Sequence, residues 1–383
     1  MVESEKLRKA VVQCVSENEL TEQYITELDA KIGLLAHNKI ARDEFARFQK
    51  HQTLGRSSST TRDSTNLKSL NKSSRAKLEL YQELFFILQT QSQYLARLFR
   101  KVRETGPIDD EHRRLENLVM SMFGFAQKQR EEYYLLKLLV RTVKEEIDGC
   151  ASITEFLRSN FFFIKLFGTY TKVPRDRKYI RQILVPLIKE QIIENERLDL
   201  ESDPLQIYRS ALNDEELRTG RRSERRPDIS REEAIKDPQT REAFIHHLQD
   251  LRDIVDQFFI LLEDSISKAP FGTRYFAQQM FEVLCAKYPR EDRQALLRVV
   301  GNWLWKFYFK PAVVEPEIFG VVDRGLDNMH KRNITEFAKV VSQVAVGKAF
   351  GSENVYLQPL NSYVSEAMAR LEDIWVQCKS LFL

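Results

Sequence analysis

Apolar residues recur at helical spacing in one segment after another, and this periodicity constrains the fold more than any other feature. Leu115, Leu118, Val119 and Met122 follow the i, i+3, i+4, i+7 pattern of a single buried helix face. The spacing returns at Phe276, Met280, Val283 and Leu284, and at Leu296, Val299, Val300 and Trp303. It returns again at Phe337, Val340, Val341 and Val344, and at Leu360, Val364, Met368 and Leu371. Residues 134–143 form another strongly apolar helical run. Alternating strand patterns are absent over useful lengths, and glycine (13) and proline (11) are too scarce for a turn-rich all-β chain. The sequence therefore predicts an all-α fold of some twelve or more helices. Its 383 residues suffice for two typical domains or one large one.

Three regions are expected. Residues 1–50 read as an N-terminal helical extension, with Ile25, Leu28, Ile32 and Leu35 in heptad-like spacing. Residues 51–75 are rich in serine, threonine and basic residues and nearly devoid of apolar ones, the composition of a flexible linker. Residues 76–383 form the main helical domain. Within it, residues 78–103 read as one amphipathic stretch ended by Gly106-Pro107, and residues 232–267 as another helical segment. A helix over 176–197 contains Pro186, which should kink it. Residues 214–240 read as a second polar connection. There Arg218, Arg221, Arg222, Arg225 and Arg226 crowd together, fitting a solvated loop, an acidic partner or an anionic membrane surface.

Several chemistries are excluded. The net charge of +3 provides no global field for nucleic acid. The start of the chain is polar, without the apolar core of a signal peptide, and no apolar run approaches the roughly 20 residues of a membrane span. The four cysteines have no paired spacing, so neither a disulfide framework nor a zinc site is indicated, which fits a cytoplasmic protein. There is no phosphate loop, no histidine–carboxylate metal motif and no nucleophile elbow; adjacent His246 and His247 point to different helix faces. The chain suits a protein that binds another protein and lends it a catalytic group.

Residues 150–167 carry that suggestion. Arg158 stands between a short polar segment and the run Phe161-Phe162-Phe163-Ile164, which requires a core. A loop anchored by apolar residues and bearing one cation has the form needed to place a charge in another protein's active site.

Many short stretches, in order, resemble one family. They include Leu80-Tyr81-Gln82-Glu83-Leu84-Phe85-Phe86, Gln129-Arg130-Glu131-Glu132-Tyr133, Asp203-Pro204-Leu205-Gln206-Ile207-Tyr208, Gly272-Thr273-Arg274-Tyr275 and Pro311-Ala312-Val313-Val314-Glu315-Pro316. Even Glu27-Leu28-Asp29-Ala30-Lys31-Ile32, before the linker, takes part. Together they resemble the Ras GTPase-activating domain, most closely its IQGAP-related branch, over residues 25–377.

The resemblance implies an all-helical domain whose groove binds a Ras-family small GTPase in its GTP form. GTP and magnesium would belong to that partner, and this chain would need no cofactor or metal of its own. Active members insert an arginine finger from a loop close to L-F-R-G-N-S-L. Phe156-Leu157-Arg158-Ser159-Asn160-Phe161-Phe162 lies over that loop, which makes Arg158 the finger and Leu157, Ser159, Asn160 and Phe161 its support. IQGAP scaffolds resemble this chain but carry threonine at the finger position, and they bind Rho-family GTPases such as Cdc42 without accelerating hydrolysis. A second family motif, F-L-R, carries an arginine that steadies the finger loop; Trp305-Lys306-Phe307 lies over it, so Phe307 holds the arginine's place and Lys306 is the available substitute. Lys339 matches a lysine of the GTPase-binding surface, and Pro311 and Ala312 a segment beside it. Contact with the inner face of the plasma membrane would come through the bound GTPase.

Overall fold

The computed structural model describes residues 72–105, 109–323 and 325–380, with isolated positions 18 and 21. The expected N-terminal extension, most of the linker and Gly106-Pro107 lie outside the described residues. The chain divides into two units, 1–86 and 87–383. The first contributes the start of helix α1 (Lys72–Thr90), where Leu80, Tyr81, Leu84, Phe85 and Phe86 are exposed. Helix is therefore already present at Lys72, inside the segment read as linker.

The fold is all-α, and no strand occurs among the described residues. The stretch over 78–103 is two helices: Gln91 leaves the helical register between α1 and α2 (Ser92–Thr105), and its carbonyl accepts from Tyr94 N at 3.2 Å in a tight turn. Then come α3 (Asp109–Met122), α4 (Gln129–Gly149), α5 (Ile153–Arg158), α6 (Phe162–Tyr170) and α7 (Pro174–Leu184). In α3 the buried face is Val119 and Met120, and Leu118, expected inside, points outward. Pro186 cannot donate to the carbonyl one turn back, and the chain absorbs this by widening into a π-helix over Val185–Ile193.

Helix α8 (Pro204–Thr219) extends into the expected polar connection and stops at Gly220, whose left-handed φ of 64° closes it. The segment over 232–267 is interrupted. Helix α9 (Arg231–Ala234) ends, and Asp237 starts α10 (Pro238–Ser265) by accepting Thr240 N at 2.9 Å. Pro238 lacks an N–H, so it opens a new helix and does not continue the old one. Helices α11 (Phe271–Lys287) and α12 (Arg293–Leu304) follow, then a π-helix at Trp305–Phe309, α13 (Lys310–Val314), α14 (Asn328–Val346) and α15 (Asn361–Ser380).

One aromatic-rich core spans the second unit. Phe167 stacks on Phe276 at 4.8 Å and meets Trp303 edge-on at 4.9 Å, while Phe258, Phe337 and Trp305 form a neighbouring cluster. Helix α4 lies at the centre, packed between α2 and α11.

Candidate functional site: an exposed arginine on an anchored loop

Both ends of α5 are fixed. At its start Ser152 Oγ accepts Glu155 N at 3.2 Å, and the Glu155 carboxylate accepts Ala151 N at 2.7 Å. At its end Ser159 turns extended and donates both its N–H (2.9 Å) and its hydroxyl (2.8 Å) to Glu155 O. Arg158 is the last helical residue. Ser159 and Asn160 then lead to Phe161, which is buried and stacks between Phe156 at 5.7 Å and Phe163 at 5.6 Å. Phe162 turns the other way, onto Phe99 at 4.6 Å. The Arg103 guanidinium lies 5.4 Å over the Phe161 ring and binds Glu146 at 2.9 Å; burial nevertheless pushes the Glu146 carboxyl up. Arg158 itself is exposed, with no hydrogen bond or ion pair among the described residues, and Asn160 is exposed beside it.

The structure brings Lys306 to this loop. From the π-helix its Nζ reaches the Leu157 carbonyl at 3.5 Å, the outer limit of a hydrogen bond, and lies 4.9 Å from the Phe307 ring. Phe307 offers no donor and packs half-buried on Trp303 at 5.3 Å. The π-helix is in turn tied to α14, because Trp305 Nε1 donates to Ser342 Oγ at 2.9 Å.

Lys339, one turn before Ser342, is exposed and paired with the buried carboxylate of Glu336, whose other oxygen accepts Ser202 Oγ at 2.8 Å. Buried Asn333 clamps the preceding loop by donating to Leu198 O (2.8 Å) and accepting Leu200 N (3.0 Å). Lys339 thus stands on a fixed wall, at a cleft of about 260 Å³ that it shares with Asp203, Arg231 and Tyr356. Ala312 is a correction. It is fully buried and has no surface to offer a partner; Pro311 is half-buried, and Val314 is the residue of α13 that faces outward.

Sequence reasoning missed a buried polar network behind the site. Asp176 has no accessible surface, and its Oδ1 accepts Thr273 Oγ1 at 2.9 Å and Tyr308 OH at 3.2 Å. Burial raises its carboxyl to about 6, against the donors around it. Next to it Arg175 makes a fork to Glu132 (2.8 and 3.0 Å), and Tyr170 OH donates to the same carboxylate at 2.7 Å. Burial alone would raise Glu132, but these hydrogen bonds hold it below the usual carboxylate range. The network joins α4, α6, α7 and α11 to the π-helix that carries Lys306. In the sequence Glu132 and Thr273 fall in separate family-like stretches, and nothing local links either of them to Asp176.

Among the described residues no group of three or more His, Cys, Asp or Glu could hold a metal ion, and no helix is long and apolar enough to cross a membrane.

The all-helical body thus presents an exposed arginine, unpaired among the described residues, on a loop fixed at both ends. The family of GTPase-activator proteins for Ras-like GTPases matches residues 138–346, more than half of the chain, and this protein belongs to it. The match contains Arg158, Lys306, Phe307 and Lys339. The chain is 30% identical over 374 residues to the Ras GTPase-activating-like protein IQGAP2 of Mus musculus, covering 95% of this chain and 23% of that protein. It is 29% identical over 363 residues to rng2 of Schizosaccharomyces pombe (94% and 24%), and 24% identical over 379 residues to rgaA of Dictyostelium discoideum (97% and 44%). The chain spans under half the length of each of these curated relatives.

Proposed function

We propose that this chain stimulates GTP hydrolysis by a Ras-family small GTPase, with Arg158 as the finger inserted in trans, and so limits Ras signalling from the cytoplasm. The observation that carries the reading is an exposed arginine, free of partners among the described residues, on a backbone fixed at both ends. Hydrolysis builds charge on the transferring phosphoryl oxygens, and a desolvated guanidinium neutralises it where water cannot reach. In this reading GTP and its magnesium belong to the GTPase. Arg158 supplies charge, the Ser159–Asn160 backbone positions the partner's water-orienting glutamine, and Lys339 contacts the partner from α14. Any approach to the plasma membrane in this mechanism comes through the bound GTPase.

Lys306 serves as the loop's brace. Its contact with Leu157 O supports this assignment.

Single-turnover hydrolysis with Ras, Rap, Rho and Cdc42 proteins tests the reading. Stimulation of a Ras-family member is expected, with Arg158→Ala removing roughly 10³–10⁵ of the rate while binding to the GTP form persists. If the alanine variant stimulates fully, the finger assignment is wrong. The missing donor at Phe307 favours one alternative, a non-catalytic IQGAP-like scaffold for a Rho or Cdc42 protein; slowed hydrolysis in those members alone would select it.

A further inference from the structure

We infer that the turn after α8 is a docking site for anionic lipid headgroups, a second membrane contact independent of any bound GTPase. The arginine cluster is a built surface. Tyr208 OH holds the Arg226 carbonyl at 3.1 Å, and Tyr208 packs with Leu212, Ala234 and Ile229 in a small core of its own. Glu216 accepts Ser223 N at 2.8 Å, and Glu215 accepts Ser223 Oγ at 3.1 Å. Arg225 turns inward to Glu215, Asp237 and Gln239. Three acids and one arginine are thus spent on holding the loop.

What remains outside is one-sided at the tip. Arg218, Arg221 and Arg222 are exposed without a side-chain partner among the described residues, and no acid lies between positions 217 and 223. The exposed acids Asp214, Glu224 and Asp228 lie to either side of the tip in sequence, as does Arg226. Leu217, at 83%, is the most exposed large apolar side chain among the described residues. The buried face of α8 is Ile207, Tyr208 and Leu212, and five further residues carry Leu217 about 140° round from it. A soluble acidic protein would account for the arginines but not for a bare leucine among them. A bilayer accounts for both: headgroup phosphates meet the guanidinium groups, and the leucine enters the acyl boundary.

Co-sedimentation of the 383-residue chain with phosphatidylcholine vesicles, with and without phosphatidylserine, tests this at physiological ionic strength. Binding to the serine-containing vesicles alone is expected. Each arginine near the surface contributes about five-fold, so Arg218→Ala/Arg221→Ala/Arg222→Ala should weaken binding on the order of 100-fold. Leu217→Ala should weaken it several-fold with no change of charge. Unchanged thermal melting of both variants shows that they fold, since all four positions are exposed. Absence of vesicle binding, equal binding by the triple variant, or an inert Leu217→Ala together with full competition by free inositol phosphates would overturn the proposal. The last outcome would mark a site for soluble anions.

Discussion

Gly272→Ala isolates the buried network behind the Arg158 loop. A Cβ at this position would stand 1.8 Å from Tyr170 Oη, 2.9 Å from Tyr170 Cζ and 3.0 Å from a Glu132 oxygen. The tyrosine has no room to retreat, because its ring is fully buried beside Phe167. Accommodation therefore displaces the hydroxyl from Glu132 (2.7 Å) and from Arg175 (3.0 Å). Two charge-assisted hydrogen bonds at about 1.5–3 kcal/mol each, less up to about 1 kcal/mol of helix propensity gained by alanine, leave a net loss of about 2–6 kcal/mol. Urea unfolding measures it. Tyr170→Phe removes the nearest clashing atom while leaving the Arg175–Glu132 fork in place. The double variant should then be at least about 1 kcal/mol more stable than the sum of the single losses. A Gly272→Ala variant as stable as wild type, or strict additivity in the cycle, refutes the close-approach reasoning.

Two further outcomes are expected. Because burial raises Asp176 to about 6, its contribution is fully present below the unfolded carboxyl value near 4 and is lost as pH rises through 6. The stability of wild type relative to Asp176→Asn should therefore fall by up to about 3 kcal/mol over that window, read by denaturant titration at each pH. Lys306→Met should slow stimulated hydrolysis about five-fold without weakening capture of the GTP form, a modest effect that suits a long bond. Single-turnover kinetics separates the two, and Phe307→Arg should not restore the rate.

The helical fold was legible because burial follows the 3.6-residue period: Phe276, Met280, Leu284, Val340 and Val344 are all buried where the spacing places them. Breaks were harder to read where side chains decide them. Asp237 and Pro238 restart a helix that periodicity alone runs through, and Gln91 interrupts one with no glycine or proline as signal. At the site, the arginine and its phenylalanine anchor stood out in sequence, since a lone cation before four apolar residues is unusual. Glu132, Tyr170, Asp176, Thr273 and Tyr308 did not, because partners up to 132 positions apart leave no local pattern. Ala312 marked a recognisable segment, but a motif match does not say which of its side chains face outward.

The double fixing of α5 has a kinetic consequence. With Ser152 holding one end and the Phe161 stack the other, only Ser159 and Asn160 separate Arg158 from the buried rings. In the proposed mechanism little loop entropy remains to be lost on insertion; the freedom surrendered is that of the arginine's own torsions, up to about 2 kcal/mol. Encounter with a GTPase should thus proceed without a slow rearrangement of this protein, so that any lag in turnover arises from the partner's switch segments.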